Sequence, residues 1–190
     1  MRVADIANVG SGLVVSRKKA MHQSEVIKIY KQLNLMAVNK NGYIDFDELE
    51  DLPVKDYIDY NNLTHKGDIV VRLTAPFTAV YITEKFENIV ISSNFCVVRC
   101  KENYCNEFLS YFINSDKARK AIFSNLQGSI MKNINISAIT ELEVPDISIA
   151  KQIALGKLMS VQTEKLIVLE KLKELQIKLQ KVLIDSFSNE

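Results

Sequence analysis

Residues 148–186 of the chain read SIAKQIALGKLMSVQTEKLIVLEKLKELQIKLQKVLIDS. This stretch contains no proline, and its only glycine is Gly156, so no residue in it forces a helix to end. Apolar residues recur in it at alternating spacings of three and four, the heptad pattern whose a and d positions form the seam between paired helices. The seam positions are Leu158, Val161, Lys165, Val168, Leu172, Leu175, Leu179 and Val182. We therefore predict one long C-terminal helix.

The predicted helix is longer than helices of globular domains usually are. At 1.5 Å per residue it extends over about 55 Å. Seven of the eight seam positions are apolar, and Lys165 at an a position is typical of a helix whose register or partner is specified there. We expect the helix to form a coiled coil with a partner. A long helix in the core of the same domain is the alternative.

Composition restricts the class of protein. A chain of 190 residues has room for one ordinary domain and an appendage, and a net charge of +1 gives no overall attraction to nucleic acid or to a membrane. Any site for a polyanion must therefore be a local patch or be shared with a partner. No apolar run reaches the length of a membrane span, and the three cysteines contain no CxxC pair. We expect a cytoplasmic protein with free thiols and no membrane partner.

The part of the chain before the long helix changes character once. Up to about residue 100, apolar residues alternate with polar ones or form short runs, as in strands. Strands are predicted in residues 27–35, 67–73, 79–82, 88–92 and 95–100, and a short strand or single helical turn in residues 3–10 that ends at a turn over residues 10–12. Helices are predicted at residues 106–113 and 117–125, and an extended piece at residues 142–145. The sequence predicts the α+β class, with a mainly β domain over residues 1–147 and the helix over residues 148–190.

The sequence contains no recognisable catalytic or metal-binding motif, such as GxSxG, HExxH, a P-loop or a zinc-type Cys/His set. We therefore predict no catalytic residue, no metal and no cofactor. Residues 45–59 carry seven acidic side chains and one lysine, but they lack the spacing of a calcium loop. We interpret them as a solvated face. A nuclease that binds a divalent metal through Asp45 and Asp47 is an alternative.

Three polar segments are candidates for contact with nucleic acid. Residues 128–133 combine a glycine with a hydroxyl, an ammonium and an amide, the usual donors to phosphate and sugar oxygens, and a basic pair precedes them. Two strand ends, at residues 72–74 and 92–94, offer side chains that can read base edges, and residues 17–19 are a basic triplet. Ordinary turns and solvated charges are the alternative interpretation of all three. The candidate residues are Arg17, Lys18, Lys19, Arg72, Thr74, Ser92, Ser93, Asn94, Arg119, Lys120, Gly128, Ser129, Lys132 and Asn133.

The order of these landmarks resembles one half of the specificity subunit of a type I restriction and modification system. The matching features are the apolar entry at residues 3–10, the Lys-Gly-Asp-Ile-Val run at residues 66–70, Gly128-Ser129 followed by Asn133-Ile134, residues 139–145, and Gln152 leading into the heptads. Together they cover nearly the whole chain. The chain departs from the family where Pro145-Asp146 and Lys151-Gln152 stand in place of two prolines and a Glu-Gln pair.

The resemblance implies a target recognition domain that reads a short sequence of double-stranded DNA, and a spacer helix that sets the distance to a second such domain. It also implies that methylation and cleavage belong to partners, the methyltransferase subunit and the restriction and translocase subunit, so that this chain itself is not an enzyme. Because the chain has one domain and one helix, we expect a half-length form that pairs as an antiparallel homodimer on an interrupted palindrome. Pairing with a different half-subunit is one alternative, and a coiled-coil adaptor that binds no DNA is another.

Overall fold

The protein is described here by a computed structural model that covers residues 1–101, 104–124 and 134–187. The strands are β1 (Ala7–Ser11), β2 (Lys28–Gln32), β3 (Glu50–Val54), β4 (Ile69–Arg72), β5 (Ala79–Tyr81) and β6 (Phe95–Cys100). The α-helices are α1 (Val3–Ile6), α2 (Asn106–Ile113), α3 (Asp116–Ser124), α4 (Ile136–Thr140) and α5 (Ile149–Phe187). A four-stranded antiparallel sheet has the order β1-β6-β4-β5, and β2 pairs with β3 in a second sheet. The predicted α+β class is confirmed.

The four-stranded sheet is buried on both faces, because its central strands β4 and β6 consist of nearly continuous apolar runs. Ile69 and Val71 of β4 pack with the helices α2, α3 and α4. Val70 points to the opposite face, where it packs with Phe95 and with Leu33 from the chain that follows β2. The sheet therefore forms the centre of the domain, and its strand ends carry the loops.

Two predictions of local structure need correction, and two elements were not predicted. Residues 88–92 are not a strand, because Val90 bridges to Gln32 and to Leu63, whereas Ser92 bridges to Leu13, so that no single partner forms a continuous ladder. The turn predicted to begin at residue 10 is not formed there, since β1 continues through Ser11. The acidic segment also contains a strand that was not predicted, β3, and a short helix, α4, follows residue 135.

The long C-terminal helix is confirmed, with α5 extending over 39 residues. It packs along α2, and Gln152 and Gly156 are its buried residues. Most of its other side chains are exposed in the single chain. None of the helices within the described residues, α5 included, combines the length and the apolar character that crossing a membrane requires.

Candidate nucleic-acid interface

Two of the candidate segments meet at one end of the four-stranded sheet. There β4 ends and β6 begins, since Arg72 pairs with Phe95. The amide of Leu73 donates a hydrogen bond to the carbonyl oxygen of Asn94 at 2.9 Å, which joins the two segments directly. We call this end of the sheet the loop face. It consists of residues 12–13, 33–37, 72–78 and 92–94.

A glycine allows the chain after β1 to pass tightly around the turn at residues 92–94. The amide of Gly12 donates to the carbonyl oxygen of Phe95 at 3.0 Å, and the amide of Leu13 donates to that of Ile91 at 2.7 Å. A Cβ atom on residue 12 would lie 2.1 Å from the carbonyl oxygen of Ser92, well inside van der Waals contact. Only glycine fits this approach. The loop after β1 is thereby fixed to the loop face.

Two of the candidate side chains hold the loop face together. The Arg72 guanidinium donates to the Thr74 hydroxyl at 3.0 Å and to the carbonyl oxygen of Leu35 at 2.9 Å. Burial lowers the pKa of Arg72 from its ordinary value. The buried Ser92 hydroxyl donates to the carbonyl oxygen of Leu33 at 3.1 Å. The Arg72 and Ser92 side chains therefore donate hydrogen bonds that hold the neighbouring loops in position.

These hydrogen bonds bring a segment to the loop face that sequence reasoning missed. Residues 33–37 form a turn in which the Asn34 side chain accepts from the amide of Ala37 at 2.7 Å. Leu33 and Ala37 are buried, whereas Met36 between them is 72% exposed. The only local signal was Asn34, a frequent turn residue. The contacts that place this turn come from residues far away in the chain.

Ser93 and Asn94 are exposed on the loop face. Their backbone is fixed, because the Ser93 amide donates to the carbonyl oxygen of Leu13 at 2.8 Å and the Asn94 carbonyl accepts from Leu73. An exposed hydroxyl and an exposed amide on a fixed turn can donate to and accept from base edges or phosphate oxygens at low cost in entropy.

Helix α3 reaches the loop face at its C-terminal end, where the Phe123 ring contacts the edge of Phe77 at a centroid distance of 5.0 Å. Lys120 is exposed on this helix, and Arg119 is half-buried. The chain returns at Ile134, whose amide donates to the carbonyl oxygen of Leu73 at 2.9 Å. The candidates Gly128, Ser129, Lys132 and Asn133 lie outside the described residues.

The basic triplet lies against β3 and not among the contacts of the loop face. The carbonyl oxygen of Lys18 accepts from the amide of Lys55 at 3.0 Å, and its ammonium forms an exposed ion pair with Asp56 at 3.4 Å. Arg17 and Lys19 are exposed. Because the acidic residues 45–59 are close by, the positive charge of the triplet is partly compensated.

The long helix has two faces with different roles in the packing of the chain. Gly156, Thr163 and Glu170 are seven residues apart and occupy the f position of the heptad, on the side opposite the seam. Each of them faces the domain, through the α2 backbone, Tyr111 and the turn at residues 41–43, respectively. The a and d residues are exposed, for example Val168 at 64% and Leu175 at 55%. Helix α5 thus packs on the domain through its f face and leaves the predicted seam uncovered.

The described residues contain no group of three or more His, Cys, Asp or Glu side chains that could hold a metal ion. The Asp45 carboxylate accepts from the amide of Asp47 at 3.1 Å in a local turn. Burial raises the pKa of both Cys96 and Cys100 to about 12, which keeps these thiols protonated and poorly nucleophilic.

Comparisons with known proteins give a consistent result. The chain superposes on the HsdS subunit from Thermoanaerobacter tengcongensis with a TM-score of 0.64 at 12% identity, over 90% of this chain and 43% of that one. For the S subunit of a type I restriction-modification system from M. genitalium the TM-score is 0.55 at 18% identity, over 94% of this chain and 42% of that one. These likenesses concern the fold, and this chain spans less than half the length of either subunit. A comparison with curated protein sequences found no match.

The family match covers nearly the whole chain. The sequence model of the type I restriction modification DNA specificity domain matches residues 1–184, which include both the mainly β part and most of α5. The resemblance noted from the order of the sequence landmarks is thereby confirmed. The chain belongs to the family of type I restriction modification DNA specificity domains.

Proposed function

We propose that this chain reads a specific DNA sequence as the specificity component of a type I restriction-modification system, and that two copies pair through α5. The domain over residues 1–147 acts as the target recognition domain, and residues 148–190, which contain α5, act as the spacer. Methylation and cleavage are carried out by a methyltransferase subunit and a restriction and translocase subunit, and this chain is not itself catalytic.

The observation that carries the proposal is the division of α5 into two faces. The f face is used by the chain's own domain, whereas the a and d residues form an apolar stripe in open solvent. An exposed apolar stripe of this length is covered by another helix in stable proteins. A second copy fits because its own seam is equally uncovered, and twofold pairing presents two identical recognition domains. The expected target is an interrupted palindrome.

The loop face is the proposed DNA-reading surface. Ser93 and Asn94 are exposed on a turn that the backbone of residues 13 and 73 fixes, and Lys120 is exposed on α3, which reaches the same end of the sheet. Such a surface needs little rearrangement before it binds. Arg72, Thr74 and Ser92 act mainly by positioning these loops. The other candidates (Arg17, Lys18, Lys19, Arg119, Gly128, Ser129, Lys132 and Asn133) are proposed to contribute contacts to the DNA backbone.

Pairing is tested by a matched pair of substitutions in α5. Leu175 and Ile177 are both 55% exposed, but Leu175 occupies a d position and Ile177 an f position. In a homodimer, Leu175→Glu removes two leucines from the interface, one from each copy. The burial of each leucine contributes about 2 kcal/mol, so that the dimer becomes about a thousandfold weaker. Ile177→Glu leaves the seam intact. Light scattering over a range of concentrations measures the mass of both variants and of the unchanged chain.

A dimer that dissociates with Leu175→Glu and persists with Ile177→Glu supports the proposal. A monomer for the unchanged chain contradicts homodimer formation and favours pairing with a different half-subunit. Selection of bound duplexes from a random DNA library tests recognition separately. An interrupted palindrome is the expected product. A dimer that enriches no sequence favours an adaptor without DNA binding.

A further inference from the structure

Helix α5 is attached to the domain by two hydrogen-bonded groups far apart along its length, with the contact of Thr163 with Tyr111 between them. At the first, the Gln152 side chain accepts from the amide of Cys105 at 3.0 Å and donates to the carbonyl oxygen of Ile147 at 2.9 Å. At the second, the Glu170 carboxylate accepts from the Asn41 amide group at 2.8 Å and from the Tyr43 hydroxyl. The two places are about 27 Å apart along the helix axis. A rod held at two separated points cannot swing about either of them.

The second attachment is made to a rigid turn. The amide of Gly42 donates to the carbonyl oxygen of Asn39 at 3.1 Å, and Gly42 adopts a positive φ of 84°, which favours glycine. The Asn39 side chain also accepts from the amide of Asn41 at 2.9 Å. The backbone that carries the two donors to Glu170 is therefore fixed by contacts within the turn itself.

This turn is connected to the end of the central sheet. Asn114, at the end of α2, lies 3.3 Å from where a Cβ atom on Gly42 would be, and it forms hydrogen bonds of 2.9 and 2.7 Å with the backbone of Ala79 at the start of β5. Ala79 is paired with Val71 of β4, next to the loop face. A continuous series of contacts thus connects Glu170 of the helix to the strands that carry the loop face.

We propose that the contact of Glu170 with Asn41 and Tyr43 is a clamp that fixes the direction of α5 relative to the recognition domain, and that it thereby determines the number of base pairs between the two half-sites. The second part rests on the proposed function. Glu170 is a positioning residue in this account, since it acts through the helix and not through contact with DNA.

The Tyr43 hydroxyl remains a hydrogen-bond donor to Glu170 well above neutral pH. Burial and the nearby carboxylates of Glu170, Asp45 and Glu174 raise the pKa of Tyr43, so that its hydroxyl keeps the proton that it donates.

The clamp matters because any displacement of the helix grows along its length. A shift of 1 Å at residue 170 becomes about 1.6 Å at residue 180, measured from the attachment at Gln152. Two such shifts in a dimer approach the rise of one base pair, about 3.4 Å.

The experiment compares Glu170→Ala, Glu170→Gln and Glu174→Ala. Glu170→Ala removes both hydrogen bonds. Glu170→Gln keeps a side chain of the same shape, which can accept from Asn41 and donate to the oxygen of Tyr43, and it should restore the clamp. Glu174→Ala removes the same charge one turn further along and leaves the clamp intact. The midpoint of thermal unfolding is measured for all three variants, to show that the domain remains folded.

The first readout needs no DNA. Spin labels carried by unnatural amino acids at Tyr57 and Gln180 leave the native cysteines in place, and an excess of unlabelled chain suppresses distances between copies. We expect the distance distribution to widen in Glu170→Ala, by about 3 Å for every 2 Å of freedom gained at residue 170. It should stay narrow in the other two variants. An unchanged width in Glu170→Ala overturns the clamp.

The second readout is the spacing of the half-sites selected from a random DNA library. The unchanged chain and Glu174→Ala should each enrich one spacing, and Glu170→Ala should enrich two or more adjacent spacings with the same half-sites. A widened distance distribution with a single unchanged spacing overturns the role in specificity. If no variant, and not even the unchanged chain, selects a bipartite site, the proposed function fails, and the distance measurement alone still decides whether the clamp exists.

Discussion

Replacing Gly12 by alanine is expected to unfold the loop face. The added Cβ atom would lie 2.1 Å from the Ser92 carbonyl oxygen and 2.7 Å from that of Ile91, and both are backbone atoms that cannot rotate away. To avoid this clash, the segment at residue 12 and the segment at residues 91–92 must separate by more than 1 Å, given an ordinary contact distance of about 3.5 Å. Separation breaks the hydrogen bonds that Gly12, Leu13 and Ser93 donate across this contact. At about 1 kcal/mol each, their loss amounts to about 3 kcal/mol.

Gly10→Ala is the matched control, because a Cβ atom at residue 10 meets only the Val97 side chain, at an ordinary 3.6 Å. Urea unfolding gives the free energy of unfolding of both variants. For a chain of this size, a loss of about 3 kcal/mol lowers the thermal midpoint by about 6–12 °C. The reasoning is refuted if Gly12→Ala is as stable as Gly10→Ala, because the close approach at residue 12 would then not exist in solution.

Two further predictions concern DNA affinity and pH. Asn94→Ala should weaken binding to the selected duplex about 5–150-fold, which corresponds to losing one base contact worth about 1–3 kcal/mol, and should change stability by no more than about 0.5 kcal/mol. Asn8→Ala, which replaces an exposed asparagine of β1, is the control. Equal affinities of the two variants in a binding titration would remove Asn94 from the interface. Because burial raises the pKa of Cys96 and Cys100 from 9.0 to about 12, the unfolded chain releases their protons first, and stability should fall as pH rises through the range from 9 to 12. Each thiol lowers the free energy of unfolding by at most about 1.4 kcal/mol per pH unit. In urea unfolding, the free energy of unfolding of Cys96→Ala should therefore fall less steeply with pH than that of the unchanged chain. An identical fall would contradict the raised pKa of Cys96.

The sequence predicted those elements whose pattern is local. The strands β2, β4, β5 and β6 and the helices α2, α3 and α5 each carry an apolar period within a few consecutive residues, and that period survives in the fold. β3 was missed because its exposed positions, Glu50 and Asp51, gave the segment the character of a solvated face, although Leu52 and Val54 are buried. Residues 88–92 were predicted as a strand because they form a short apolar run. In the fold their backbone bridges to three different segments, and a local sequence pattern cannot distinguish this from pairing with one strand.

The candidate site was predictable only in part, since residue type does not determine the direction of a side chain. Arg72 and Asn94 looked equally suited to read bases. In the structure, the Arg72 guanidinium is directed at Leu35 and Thr74, whereas the Asn94 side chain is exposed. The turn at residues 33–37 could not be placed on the loop face from sequence, because the contacts that hold it there come from Arg72 and Ser92. Long-range hydrogen bonds of this kind leave no periodic signal.

The two faces of α5 illustrate the same limit and suggest how the molecule avoids conflict between its contacts. The seam was readable because apolar a and d residues repeat over the whole helix, whereas the f positions that contact the domain are Gly156, Thr163 and Glu170, which share no chemical property that a hydropathy pattern detects. Each of them suits one particular neighbour: the close α2 backbone, the Tyr111 hydroxyl and the donors of the turn at residues 41–43. At these three positions, polar and small residues cannot compete with the apolar seam for a partner helix. The helix can therefore bind its own domain and a second helix at the same time, and this is the geometry that a spacer between two recognition domains requires.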